Sequence, residues 1–128
     1  MNKVDNKRIL LAEDNELNAE IVLTILSEAG YVCEHVLNGQ EAVEAVDSHP
    51  GNYYDLILMD IQMPVLDGYK ATRKIRQLGE EKSKIPVVAL TASVLEDDKY
   101  DAYIAGMNGH ISKPIDATKL LNALSDLL

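Results

Sequence analysis

The chain has little of what staples, exports or anchors a protein. Cys33 is its one cysteine, and a lone thiol cannot close an internal bridge, which excludes a secreted disulfide scaffold and fits a reducing compartment. Such a thiol is expected to behave as a small buried hydrophobe. No apolar run approaches the ~20 residues needed to cross a bilayer, and Met1 to Lys7 is polar, without the apolar core of a signal peptide. The expectation is a soluble, cytoplasmic chain without membrane insertion. Positive charge is scarce as well: 12 Lys and Arg against 21 Asp and Glu leave a net charge of −9. Most of that surface repels nucleic-acid phosphates, so direct nucleic-acid binding is not expected. Six of the basic residues lie between Lys70 and Lys84, a cluster that reads as a solvated helix face.

No internal repeat, low-complexity stretch or long linker interrupts the 128 residues. A chain of this length is expected to be one domain, 1–128, with an ordered core from about residue 7, burying roughly two thirds of its unfolded surface without disulfide or structural metal. No attached output domain is expected within it.

Strand and helix periodicities alternate, the pattern of an α/β fold with a parallel sheet. Ile9 to Ala12 is a strand, and Leu17, Ile21, Ile25 and Ala29 form one helical stripe that Gly30 stops. Tyr31 to Val36 reads as a strand, Asn38 and Gly39 as a turn, and Ala42, Val43 and Val46 as a short helix ending near Pro50. Leu56 to Met59 is uniformly apolar, as a central strand covered on both faces should be. Asp67 caps a helix with the stripe Ala71, Ile75 and Leu78, and Gly79 to Lys84 reads as loop. Val87 to Leu90 is a further apolar strand, followed by a helix through Tyr100, Tyr103, Ile104 and Met107. A weak strand near His110 to Ser112 precedes a helix capped by Asp116, whose stripe is Ala117, Leu120, Leu121, Leu124, Leu127 and Leu128. The total is five strands and five helices.

The strands end in residues that handle phosphate or metal: Glu13 and Asp14, Asp60, Thr91, and then Lys113. In a parallel sheet these ends gather at one edge. Three carboxylates there repel one another by about 4 kcal/mol per pair at ~4 Å and an effective dielectric near ~20. A divalent cation removes that penalty, and oxygen-only donors favour Mg²⁺, with Mn²⁺ as substitute, over zinc. Glu13 and Asp14 point in different directions by strand alternation, so one ligates directly and the other through water. Asp60 has the place of a nucleophile that attacks phosphorus in line and becomes an acyl phosphate. The Thr91 hydroxyl and the Lys113 ammonium are donors to phosphoryl oxygens. Pro114 permits a cis peptide that turns Lys113 inward.

Across nearly its whole length the chain resembles the receiver domain of two-component response regulators. Glu13-Asp14, Asp60 after Leu56-Ile57-Leu58-Met59, Met63-Pro64, Asp67-Gly68, Thr91-Ala92 and Lys113-Pro114 carry the likeness. The resemblance implies a three-layer, doubly wound (βα)5 flavodoxin-like fold with strand order 2-1-3-4-5. It implies Asp60 as phosphoacceptor, Mg²⁺ held by Asp14, Asp60 and the Gln62 backbone carbonyl, and Glu13 acting through water. Thr91 is then the switch, together with His110, which stands where the family usually has Tyr or Phe. The implied partners are a histidine kinase and/or a histidine phosphotransfer protein, and the implied state is a monomer or weak dimer. Asn15, Asn18 and Gly106 to His110 further resemble receivers fused to hybrid sensor histidine kinases. On that reading the isolated domain is no enzyme beyond its own phosphorylation and slow dephosphorylation. One alternative is a non-phosphorylated binding module of flavodoxin-like fold, which has no need of all five polar residues together; the other is a haloacid-dehalogenase-like phosphatase. That class places a second Asp two residues after the nucleophile, where this chain has Gln62, and without that acid–base group rapid turnover is not expected.

Overall fold

The computed structural model describes residues 7–79, 81–91 and 106–128. In chain order the elements are β1 (Arg8–Ala12), α1 (Glu16–Glu28), β2 (Val32–Val36), α2 (Gly39–Asp47), β3 (Leu56–Asp60), α3 (Gly68–Ile75), β4 (Val87–Thr91), β5 (Gly109–Ser112) and α4 (Ala117–Leu127). Of the helix expected through Tyr100, Tyr103, Ile104 and Met107, the first three residues fall outside the described residues, while Met107 is buried but not helical, because it follows Gly106, whose φ of 99° is left-handed. All five strands are parallel, in the order β2-β1-β3-β4-β5, which is the doubly wound arrangement expected.

The strands β3 and β4, apolar up to their last residues Asp60 and Thr91, are buried at every position, because helices cover both sheet faces. Alternation divides the core in two. Leu10, Ala12, Ile57, Met59, Val87 and Ala89 face α2 and α3, while Ile9, Leu11, Leu56, Leu58, Val88 and Leu90 face α1 and α4. Each α-helix among the described residues begins at a side-chain cap: Asn15, Asn38, Asp67 and Asp116 accept from the N–H of Asn18, Glu41, Lys70 and Lys119. These caps satisfy N–H groups that have no partner within the helix, each worth about 1 kcal/mol. Gly30 ends α1 with φ 100°, a left-handed conformation that glycine adopts without penalty.

Four expectations need correction. On α1 the residues against the sheet are Ala19, Val22 and Leu26. Leu17 and Ile21 are 67% and 44% exposed. The helix is apolar around much of its circumference, so spacing alone selects no face. On α4 only Leu120 and Leu124 are buried, because the sheet edge covers a narrower stripe than the leucines span. The loop 79–84 contains a 3₁₀ turn, Lys82–Lys84. Finally, the basic cluster is not wholly solvated. Lys70, Arg73 and Lys74 are exposed, but half-buried Arg76 donates to the carbonyls of Ser83, Ile85 and Gly106 and to Asn108 Oδ1. Cys33 is half-buried, and burial pushes its thiol up to about 11.

Candidate active site

Parallel strands bring their C-terminal ends to one edge of the sheet. β1 runs into Glu13 and Asp14, β3 ends on Asp60, β4 ends on Thr91, and Lys113 follows β5. One carboxylate oxygen from each of Glu13, Asp14 and Asp60 lies within 4.8 Å of the others. Glu13 and Asp60 are buried, whereas Asp14 is exposed at the mouth of the cleft. Asn15, Asn18, Gln62 and Thr91 line the same cleft.

Lys113 joins the two buried carboxylates. Its Nζ donates to Glu13 Oε1 at 2.9 Å and lies 3.3 Å from Asp60 Oδ2. Its backbone N–H donates to the Thr91 carbonyl at 2.7 Å, and the Lys113–Pro114 bond is cis. On the other side, Asp60 Oδ1 accepts from the Gln62 N–H at 3.3 Å. The start of α3 packs directly against this strand end. Gly68 N–H donates to the Ile61 carbonyl at 2.9 Å, and a Cβ at position 68 would collide with the Asp60 carbonyl oxygen. The close backbone approach accounts for glycine there.

The charges shape one another. Burial, then the hydrogen bond and charge of Glu13, push Asp60 up to about 7, with Lys113 only partly offsetting them. For Glu13 burial opposes ionisation most strongly, but hydrogen bonds with Asp60, Lys113 and the Asn15 backbone, together with the Lys113 charge, hold it below the usual range. Burial likewise opposes the Lys113 charge, and its two carboxylate neighbours overcome that and raise it. Glu13 Oε2 is buried with no hydrogen-bond partner; Asp60 could donate to it only when protonated. An orphaned buried oxygen beside two further carboxylates fits a hard divalent cation, and this cluster contains no His or Cys.

The structure therefore brings together Glu13, Asp14, Asp60, Gln62, Thr91 and Lys113. His110 stands apart. It is half-buried on β5 opposite Ala89 and lines a neighbouring groove that shares Lys113 with the cleft. One contact went unread in the sequence: His35 Nε2 lies 2.8 Å from the Glu13 carbonyl oxygen. Its only trace there is a polar ring near the end of the strand that pairs with the acidic one.

Comparison with known proteins agrees with this geometry. The family model described as the response regulator receiver domain matches residues 9–125. The chain is 36% identical over 116 residues to hybrid signal transduction histidine kinase L of Dictyostelium discoideum, covering 88% of this chain and 7% of that protein. It is 43% identical over 115 residues to hybrid signal transduction histidine kinase G of the same organism, covering 88% of this chain and 3% of that protein. The chain thus spans a small fraction of the length of these relatives. Among solved structures, it is similar to the receiver domain of sensor histidine kinase PA1611 from Pseudomonas aeruginosa PAO1, which holds a magnesium ion in its active-site cleft. That match has a TM-score of 0.86 and 38% identity, over 95% of this chain and 97% of the other. A chain in the co-crystal structure of Saccharomyces cerevisiae Ypd1, a histidine phosphotransfer signalling protein, with the receiver domain of Ssk1 matches with a TM-score of 0.88 and 29% identity, over 98% of this chain and 91% of that one. The chain belongs to the response regulator receiver domain family and is a receiver domain of two-component signal transduction.

Proposed function

We propose that Asp60 is the phosphoacceptor of a phosphorelay, taking a phosphoryl group from a phosphohistidine. The observation that carries this is the buried Asp60 carboxylate set between the Lys113 ammonium and two further carboxylates. Glu13, Asp14, Asp60 and the Gln62 backbone carbonyl would hold Mg²⁺, or Mn²⁺ in its place, and the ion supplies charge neutralisation for both the carboxylate and the incoming group. Asp60 attacks phosphorus in line, the P–N bond breaks, and the imidazole leaves with the electron pair and takes up a proton. Lys113 and the Thr91 hydroxyl then donate to phosphoryl oxygens.

New contacts of Thr91 and Lys113 exist only with phosphate present, so they bias an existing two-state equilibrium, with Thr91 and His110 as the moving parts. The donor, or the next acceptor, is a histidine kinase or a histidine phosphotransfer protein. The relatives above support a parent that is a hybrid sensor histidine kinase. The unit acts in the cytoplasm as one domain over 1–128, as a monomer or weak dimer. No helix among the described residues is long and apolar enough to cross a membrane.

Gln62 supplies no acid–base group for rapid phosphatase turnover, so on this reading the isolated domain does no more than phosphorylate itself and dephosphorylate slowly. Incubation with radiolabelled acetyl phosphate tests this. Stoichiometric incorporation that requires Mg²⁺ is expected, whereas continuous phosphate release without labelled protein contradicts it and marks a phosphatase.

A further inference from the structure

We infer that His35 is a positioning residue for the metal-binding acidic loop, its imidazole holding the Glu13 peptide in place. The inference rests on the Mg²⁺ site proposed above. β1 and β2 pair with Leu11 opposite His35 and Ala12 opposite Val36. The last rung runs from the Glu13 N–H to the Val36 carbonyl at 3.1 Å. The ladder would next bring the Asn38 N–H to the Glu13 carbonyl, but the chain leaves the sheet there, because Asn38 caps α2. A carbonyl next to a metal ligand is then left to find another donor.

His35 supplies it. Its Nε2 lies 2.8 Å from the Glu13 oxygen, and since a carbonyl can only accept, Nε2 carries the hydrogen. The ring sits beneath α1, lining a groove with Glu16, Ala19, Glu20 and Leu23. The Glu13 peptide is thereby held by β2 at both N–H and C=O, while Lys113 holds the carboxylate. Fixing that peptide aims the orphaned Glu13 oxygen and sets where Asp14, the next residue, enters the cleft. Partners that orient ligands from outside commonly change metal affinity by about 10–100-fold when removed.

Calorimetric titration with Mg²⁺ tests the assignment. In His35→Phe, which keeps a ring and loses the donor, the Kd for Mg²⁺ rises about tenfold, while His35→Gln, whose amide nitrogen can occupy the place of Nε2, stays within about twofold of the wild type. A folded His35→Phe that binds as the wild type does, or equal weakening in both variants, overturns the inference and leaves the metal site standing. No Mg²⁺ uptake by the wild type overturns the metal site and the inference with it. Nitrogen NMR of the wild-type histidines keeps the question open to refutation if His35→Phe does not fold. Hydrogen on His35 Nε2, with a resonance that moves on adding Mg²⁺, supports the role, and a bare Nε2 overturns it.

Discussion

The Lys113 ammonium lies 3.3 Å from the Asp60 carboxylate, although α3, β4 and β5 stand between them in the chain. Both side chains are mostly buried, as is Glu13, which shares the same ammonium at 2.9 Å. One cation thus serves two carboxylates, and the site is short of positive charge before any phosphoryl group or metal arrives.

Removing that cation should be costly. In Lys113→Met the two carboxylates face each other unpaired, and the metal-free protein is expected to lose about 3 kcal/mol of stability in urea unfolding near neutral pH. Adding Asp60→Asn should recover much of the loss, since the two sites share a network and do not add. Unchanged stability in Lys113→Met would contradict the arrangement.

Asp60 gives a pH dependence of definite sign. Its folded value of about 7 lies above the ordinary 3.8, so between those values the folded chain keeps a proton that the unfolded chain has released. This contribution is fully present below about pH 4 and is lost as pH rises through about 7. Glu13, held low, acts in the opposite sense in the acid range. The wild type minus Asp60→Asn difference in metal-free stability reports Asp60 together with its coupling to Glu13 and Lys113, and should become less favourable from pH 4 to 8. The rise in Tm on adding Mg²⁺ should be larger at pH 8 than at pH 5, because protons compete with the metal for Asp60. A difference that does not vary with pH would contradict the raised value.

What the sequence discloses and what it withholds follow from the same physics. The strands β3 and β4 are legible because a sheet covered on both faces demands uninterrupted apolar runs, and the polar residues that end those runs are the site. Asp67 and Asp116 are legible as caps because a helix start needs an acceptor. The facing of α1 is not legible, since Leu17 and Ile21 are as apolar as Val22 and Leu26. Which set meets the sheet depends on how the loop from Asp14 enters the helix. The Arg76 and His35 contacts are not legible either, because both serve backbone carbonyls whose loss of partners appears only once the chain is folded.

The α1 assignment has a direct check. Leu26→Ala should cost about 2–5 kcal/mol, as removal of a fully buried leucine does, whereas Leu17→Ala should stay within about 0.5 kcal/mol. Comparable losses in the two would put Leu17 back against the sheet.

Thr91 separates acceptance from response. Thr91→Ala should still take up label from acetyl phosphate, yet its amide NMR spectrum should fail to show the shifts around β5 and α4 that accompany phosphorylation of the wild type. Identical shifts in both proteins would remove Thr91 from the switch.

The most direct test of the central claim is to locate the phosphoryl group. After treatment with acetyl phosphate and Mg²⁺, borohydride reduction of an aspartyl phosphate leaves homoserine, which peptide mass spectrometry detects. Homoserine at position 60 of the wild type, with no modification in Asp60→Asn, is the predicted result. Modification at another residue, or none in folded protein shown to bind Mg²⁺, would contradict it.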